Sequence, residues 1–291
     1  MKSNIKVLVA CHKDDLYHGG GVYMPIQVGK GMSSINLDMQ GDNTGDNISD
    51  KNGSYCELTA LYWAWKNLKN VDYIGLCHYR RYFDFHSQAL NYYPKTCFSN
   101  DKIDKLNYDI PTSVVNSLKR GEAIVAKKII YKGTVFHDYC GNHYSKDIRI
   151  IKNLIWENGD EKYKQAFWDV MFKNNKLHPA NMFIMSWEQF DKFCNWLFDI
   201  LSRLENRIDT SWYSLYQKRI YGYISERLLN VFFKAENIKV NDYPIIYFGE
   251  ADEPVPSRLR YTARCAARNF CNWLLKEKDS NMDRFGSYDE K

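Results

Sequence analysis

An imidazole and two guanidinium groups stand together where one apolar run of this sequence ends. The run Val71 to Cys77 is followed by His78-Tyr79-Arg80-Arg81-Tyr82-Phe83. Arginine holds phosphate through paired, charge-assisted hydrogen bonds, so His78, Arg80 and Arg81 fit a clamp on a diphosphate. Paired with surface carboxylates, the same arginines would be structural only. Two more polar segments adjoin short apolar runs: Cys11-His12-Lys13 after Ile5 to Ala10, and His178-Pro179-Ala180-Asn181 before Met182 to Met185. Ligands of open α/β sheets bind beyond the carboxyl ends of the strands, and these three segments are the places that rule selects.

Other chemistries lack their residues. No GxxxxGK[ST] loop, GxGxxG turn, GxSxG elbow or HExxH helix is present. Gly19-Gly20-Gly21 could cradle a phosphate, but no helix starts directly after it, which favours a flexible loop. The eight cysteines are widely spaced, with no CxxC pair. They read as reduced, buried thiols of a cytoplasmic protein rather than as a zinc site. Residues 38–53 are rich in Asp, Asn and Gly, but their spacing does not fit a calcium-binding EF-hand. Leu8-Val9-Ala10-Cys11 resembles a lipoprotein cleavage box, yet the preceding apolar stretch is short and holds Lys6, so a first buried strand is expected instead.

The elements that must position these groups follow from periodicity. Ile5 to Cys11 is a β-branched run typical of a central strand, and Tyr23 to Val28 is a second. Ser54-x-x-Glu57 reads as a capping box opening a helix on which Tyr55, Leu58, Leu61, Tyr62, Trp65 and Leu68 recur, and that position accounts for Glu57 structurally. Further strands are predicted at 71–77, 123–126, 182–185 and within 238–248. Helices are predicted near 111–120, over 146–173, over 187–204 behind Ser186-x-x-Gln189, over 211–234, and from about 257. Asp138 falls in a polar-aromatic stretch read as a loop. The alternation of helix and strand argues for an α/β fold with a mainly parallel central sheet and a helical C-terminal tail.

Composition bounds the partners. A chain of 291 residues with 45% hydrophobic and 26% charged residues builds one main core. The net charge of +5 suits nucleotide diphosphates or a phospholipid surface and is too small and scattered for nucleic acid. No apolar run reaches the roughly 20 residues of a membrane-spanning helix. The tail mixes Arg258, Arg260, Arg264 and Arg268 with Leu259, Tyr261, Phe270, Trp273 and Leu274. That mixture fits peripheral contact with an anionic membrane, and equally a helix packed back on the core.

The segments NGSYCELTALYWAWKN (Asn52 to Asn67) and YIGLCHYRRYF (Tyr73 to Phe83) resemble a bacterial family first catalogued as a domain of unknown function, whose members are commonly regarded as capsular polysaccharide or exopolysaccharide glycosyltransferases. The likeness continues through His178 to Phe183 and Arg219 to Leu228 and covers about residues 4–248. Some relatives look like galactofuranosyltransferases with a UDP-linked donor. The resemblance implies a GT-A-like nucleotide-sugar-binding fold, with residues 1–250 as the catalytic domain and 251–291 as a basic amphipathic tail. It implies a UDP-sugar donor and a lipid-linked or oligosaccharide acceptor. His12, Lys13 and Asn52 would lie near the uridine, His78, Arg80 and Arg81 near the diphosphate, and His178 and Asn181 near sugar hydroxyls. Inverting transfer needs a carboxylate to take the acceptor's proton, for which Glu226 and Asp138 are the candidates. Glu226 also fits a helical ion pair with Arg219 or Arg227. Most GT-A enzymes carry an Asp-x-Asp where this chain has Cys77 to Arg81, so metal independence is expected, with Asp84-Phe85-His86 as the nearest rival ligand pair. A sugar-nucleotide-binding regulatory protein and a sugar-nucleotide hydrolase remain alternative readings.

Overall fold

The computed structural model describes residues 3–87 and 91–282, so the tail is described only as far as residue 282. The elements begin β1 (Ile5–Cys11), β2 (Tyr23–Gln27), β3 (Gln40–Gly41), α1 (Asn52–Tyr55), α2 (Leu58–Asn67), β4 (Tyr73–His78), β5 (Arg81–Phe83) and β6 (Lys95–Ser99). Next come α3 (Thr112–Lys119), β7 (Ala123–Ala126), β8 (Ile129–Ile130), α4 (Val135–Asn142), α5 (Ser145–Glu157), α6 (Glu161–Trp168) and β9 (Lys176–Leu177). The chain continues with β10 (Phe183–Ser186), α7 (Trp187–Glu205), α8 (Ile220–Ala235), β11 (Val240–Tyr243), β12 (Ile245–Gly249) and α9 (Arg258–Leu275). Two compact units form, one from Met1–Lys127, His178–Cys194 and Lys239–Pro256, the other from Lys128–Leu177, Asn195–Ile238 and Ser257–Lys291.

The first unit holds a sheet with the order β11-β7-β10-β4-β1-β2-β3, to which β5, β12 and β6 are added off the main path. β1 runs parallel to both β2 and β4, and β7 runs parallel to β11. β10 is antiparallel to both of its neighbours, β4 and β7. The apolar run of β1 from Val7 to Cys11 is what a strand covered on both faces requires, and Val7, Leu8 and Val9 are wholly buried. By strand alternation Val7, Val9 and Cys11 share one face, where they pack with Cys77, Tyr82, Ile124 and Ile184. At the centre, Gly75 of β4 has no room for a side chain. A Cβ there would stand 2.7 Å from the Phe183 carbonyl oxygen of β10 and 2.8 Å from Ile184.

The second unit is mainly helical. α5 buries Ile148, Ile151, Leu154 and Ile155, and α6 buries Tyr163, Ala166, Phe167 and Trp168. Trp196 stacks on Tyr163 at 4.5 Å. The buried carboxylate of Asp147 accepts from the Tyr213 and Tyr139 hydroxyls at 2.6 and 3.0 Å. Two phenol donors are thus satisfied on one acid inside the core, where an unpaired polar group would be costly.

Several expectations are corrected. The helix expected through Tyr55 and Leu68 is broken into α1 and α2 by Cys56, at φ 52°. The Ser54–Glu57 capping box does not form: the Ser54 hydroxyl donates to the Lys51 carbonyl, and no side chain caps α2. Gly159, at φ 75°, ends the 146–173 helix early, and Asp160 caps α6 as its successor. The stretch 238–248 yields two strands, β11 and β12, separated at Pro244, which has no amide hydrogen for a ladder. Asp138 lies on α4 rather than in a loop, because Thr134 accepts from the His137 amide and starts a helix. Ser186 and Gln189, by contrast, bond reciprocally at 3.1 and 3.2 Å, as the capping-box reading of that pair requires.

Candidate functional site

The first unit brings the ends of β1 and β4 side by side, with Ala10 paired to His78 and the Tyr79 amide donating to the Ala10 carbonyl. His12 and Lys13 therefore emerge beside Tyr79 and Arg80. The His12 and Tyr79 rings meet edge to face at 5.2 Å, and the Arg80 guanidinium lies over the Tyr79 ring at 5.4 Å. Asp15 ties the two segments together. Its carboxylate accepts from Arg80 at 2.6 Å and pairs with Lys13 at 3.2 Å. Desolvation alone would raise its pKa, but the Leu16 amide, Lys13 and Arg80 outweigh it and hold the carboxyl below its ordinary range. Asp15 was missed in the sequence, although it stands only two residues beyond Lys13.

The two arginines receive different neighbours. Tyr79 and Arg80 form the tight turn between β4 and β5, where His78 pairs with Arg81. Arg80 turns to Asp15, whereas Arg81 lies over the Tyr247 ring of β12 at 5.7 Å. Arg80 Nε is buried and has no acceptor among the described residues, which leaves one donor of the fork unused. The thiol of Cys11, at the same strand end, is pushed up to about 12 by burial first and by Asp15 second.

A second constellation lies at the entry to β10. Ala180 and Asn181 both adopt left-handed backbone, at φ 68° and φ 52°, a strained pair outside glycine. His78 Nε2 contacts the Ala180 carbonyl oxygen at 2.7 Å, and the Asn181 amide donates to Glu57 Oε1 at 2.8 Å. Glu57 follows the equally strained Cys56, so this carboxylate is held by a broken helix rather than by a cap. The Ser-x-x-Glu spacing concealed it in the sequence. His178 is buried, with Nδ1 at 2.6 Å from the Ala126 carbonyl oxygen. Asn52 donates to the Cys56 carbonyl at 2.7 Å and thereby fixes the kink. Asp42 closes the polar loop by accepting from the amides of Gly29 and Lys30 at 2.8 and 3.0 Å.

In the second unit, Glu226 and Asp138 meet at one cation. Arg227 is 5% exposed. Its guanidinium bonds the Glu226 carboxylate, reaches Asp138 at 3.5 Å and lies over the Tyr139 ring at 5.4 Å. Burial pushes the Asp138 carboxyl above its ordinary range, opposed by Arg227 and reinforced by Glu226. The sequence offered these acids as separate candidates 88 residues apart (226 − 138), and the fold makes them one ion cluster.

Among the described residues no group of three or more His, Cys, Asp and Glu side chains could hold a metal ion. Asp84 Oδ1 accepts from the His86 and Ser87 amides, and the His86 ring contacts the Asp109 carbonyl. A cleft of about 480 Å³ lies at the opposite end of β4, lined by Trp65, Asp72, Trp187 and Asp191 among others. It is not where His12, Lys13, His78 and Arg80 gather.

Cationic and imidazole groups thus gather at the carboxyl ends of the adjacent parallel strands β1 and β4, the place where open α/β sheets commonly bind ligands. An apo structure of the bifunctional glycosyltransferase WbbM is 27% identical, with a TM-score of 0.75 over 87% of this chain. This chain spans about half of that protein, 48% of its length. The architecture is accordingly an α/β, GT-A-like fold with a mainly parallel central sheet. The profile described as a domain of unknown function, DUF4422, matches residues 6–237, and the chain belongs to that family. A search of the curated proteins gave no match.

Proposed function

We propose that this chain is a glycosyltransferase that moves a sugar, in our reading galactofuranose, from a UDP-linked donor to a lipid-linked or oligosaccharide acceptor of a surface polysaccharide, with inversion. The observation that carries the proposal is the group His12, Lys13, His78 and Arg80 at the ends of β1 and β4, in a chain similar to a glycosyltransferase. Arg80 keeps an unused buried donor there, as a residue awaiting an anionic oxygen would. The acceptor hydroxyl attacks the anomeric carbon, the bond from that carbon to the diphosphate oxygen breaks, and the diphosphate leaves with the electron pair. Arg80 and Lys13 would offset its charge, the electrostatic task that a metal performs in many transferases. The base is proposed to be Glu226, with Asp138 as the second candidate. Asn181, held by Glu57, would face a sugar hydroxyl.

The test is incubation with a panel of UDP-sugars, with and without lipid-linked and oligosaccharide acceptor mimics, read by product mass. An acceptor heavier by one sugar, with only slow donor hydrolysis in its absence, supports the proposal. Rapid acceptor-independent hydrolysis, or donor binding without turnover on any acceptor, overturns it in favour of a hydrolase or a regulatory module.

A further inference from the structure

Helix α9 is mounted with its polar side against its own unit and its apolar side outward. At 3.6 residues per turn, Leu259, Ala263, Ala266, Phe270 and Trp273 fall on one stripe, with Leu274 at its margin. None of these side chains is covered. Leu259 is 82% exposed, Phe270 61%, Trp273 62% and Leu274 61%. The attachments come from the other side of the helix. Arg268 donates to the Ile130 carbonyl, Asn272 to the Lys173 carbonyl at 3.1 Å, and Asn175 to the Arg268 carbonyl at 3.3 Å. Just beyond the helix, the Glu277 amide bonds the Phe172 carbonyl, and Lys173 pairs with Asp279 at 2.8 Å. These attachments, along the C-terminal half of the helix and just beyond it, hold the side bearing Arg268 and Asn272 inward and leave the stripe outward.

Large contiguous apolar surface on a folded protein marks a contact with something else. The charges on the helix select the partner. Between 258 and 275 there are four arginines and no aspartate or glutamate. Arg258, Arg260 and Arg264 are exposed, the first two on either side of the stripe and Arg264 further round toward Arg268, and they form no ion pair among the described residues. A second copy of the same helix would bring arginine against arginine with no acid to answer it. An anionic lipid surface answers both features, since it accepts the aromatic and aliphatic groups at the headgroup–acyl boundary and the arginines among the phosphates.

We infer that α9 is a peripheral membrane anchor that lays the stripe from Leu259 to Trp273 into the interface of a bilayer carrying anionic headgroups. No described helix is long and apolar enough to cross a membrane, and this one would lie in the plane of the interface. The inference stands apart from the transfer reaction, since its readout needs no donor or acceptor.

Co-sedimentation of the full chain with phosphatidylcholine vesicles, with and without phosphatidylglycerol, tests it. Wild type should pellet with the anionic vesicles and much less with the neutral ones. The double variant Phe270→Glu with Trp273→Glu should lose roughly tenfold per side chain in partitioning. Arg260→Ser with Arg264→Ser should lose about fivefold per arginine, and only on anionic vesicles. All four side chains are exposed, so far-UV circular dichroism and the thermal midpoint should not move, which separates lost docking from lost folding. Equal vesicle binding by the Phe270/Trp273 double variant, failure of wild type to bind anionic vesicles, or a wild-type dimer that the double variant abolishes would each overturn the inference.

Discussion

Replacing Arg227 by methionine, which nearly preserves volume, removes the one buried cation between two acids. The guanidinium side chain is 6% exposed, while Glu226 and Asp138 retain 20% and 24%. Taking one partner from a buried pair leaves its counter-charge uncompensated, at about 3–5 kcal/mol. For a protein of this size that lowers the unfolding midpoint by roughly 10 °C at neutral pH. The pH dependence has a definite sign. Asp138 is raised in the folded state, chiefly by burial, so it holds its proton more tightly folded than unfolded. Its contribution to stability therefore declines as pH rises from the ordinary carboxylate range through its elevated folded value. Without Arg227 that value climbs further, so the variant's deficit should be largest at neutral pH and shrink as the solution is acidified. Adding Glu226→Gln and Asp138→Asn to Arg227→Met should recover most of the loss, because no unpaired charge then remains. Thermal denaturation by circular dichroism across pH measures all of this. An Arg227→Met protein that melts with wild type, or whose deficit is the same at every pH, would refute the reasoning.

Arg80→Ala should lower transfer by about 10²–10³-fold, and neither manganese nor magnesium should restore it; activity that disappears on chelation in the wild type would contradict the metal-free reading. Glu226→Gln should reduce turnover about 10²–10⁴-fold while donor affinity stays near wild type, and unchanged turnover would transfer the role to Asp138 or elsewhere. Gly75→Ala should cost about 1–3 kcal/mol, since its Cβ would meet the Phe183 carbonyl oxygen at 2.7 Å and a paired strand cannot move away; an unchanged midpoint would show that the sheet is looser there. Asn181→Gly should be milder than Asn181→Ala, both losing the Glu57 bond but only alanine also bearing left-handed strain of order 1–3 kcal/mol; equal losses would assign the whole effect to the side chain.

The sequence by itself determined the layered class and the ends of its central strands. Val7 to Cys11 and Tyr73 to Cys77 are predominantly apolar runs because their strands are covered on both faces, and only Lys6 and Asp72 near their starts interrupt the pattern. It also determined that His12, Lys13, His78 and Arg80 emerge at strand ends, since that follows from where an apolar run stops. The Ser186–Gln189 cap was legible because its bonds span three residues. What lay beyond local reach was decided by the tertiary structure. Ser54 and Glu57 have the same spacing as that cap, but Glu57 is drawn to Asn181, 124 residues away, by a contact that no window of the sequence contains. The adjacent arginines of the HYRRYF segment look like one clamp, yet the β4–β5 turn sends Arg80 to Asp15 and Arg81 to Tyr247. Glu226 and Asp138 were rivals in the sequence and became partners because a buried guanidinium must be neutralised by whatever acids the packing of α4 and α8 supplies. The tail announced its amphipathic pattern in its residues, but a pattern does not say which side faces in. The carbonyls of Ile130 and Lys173, by taking the polar side of α9, left the apolar side exposed.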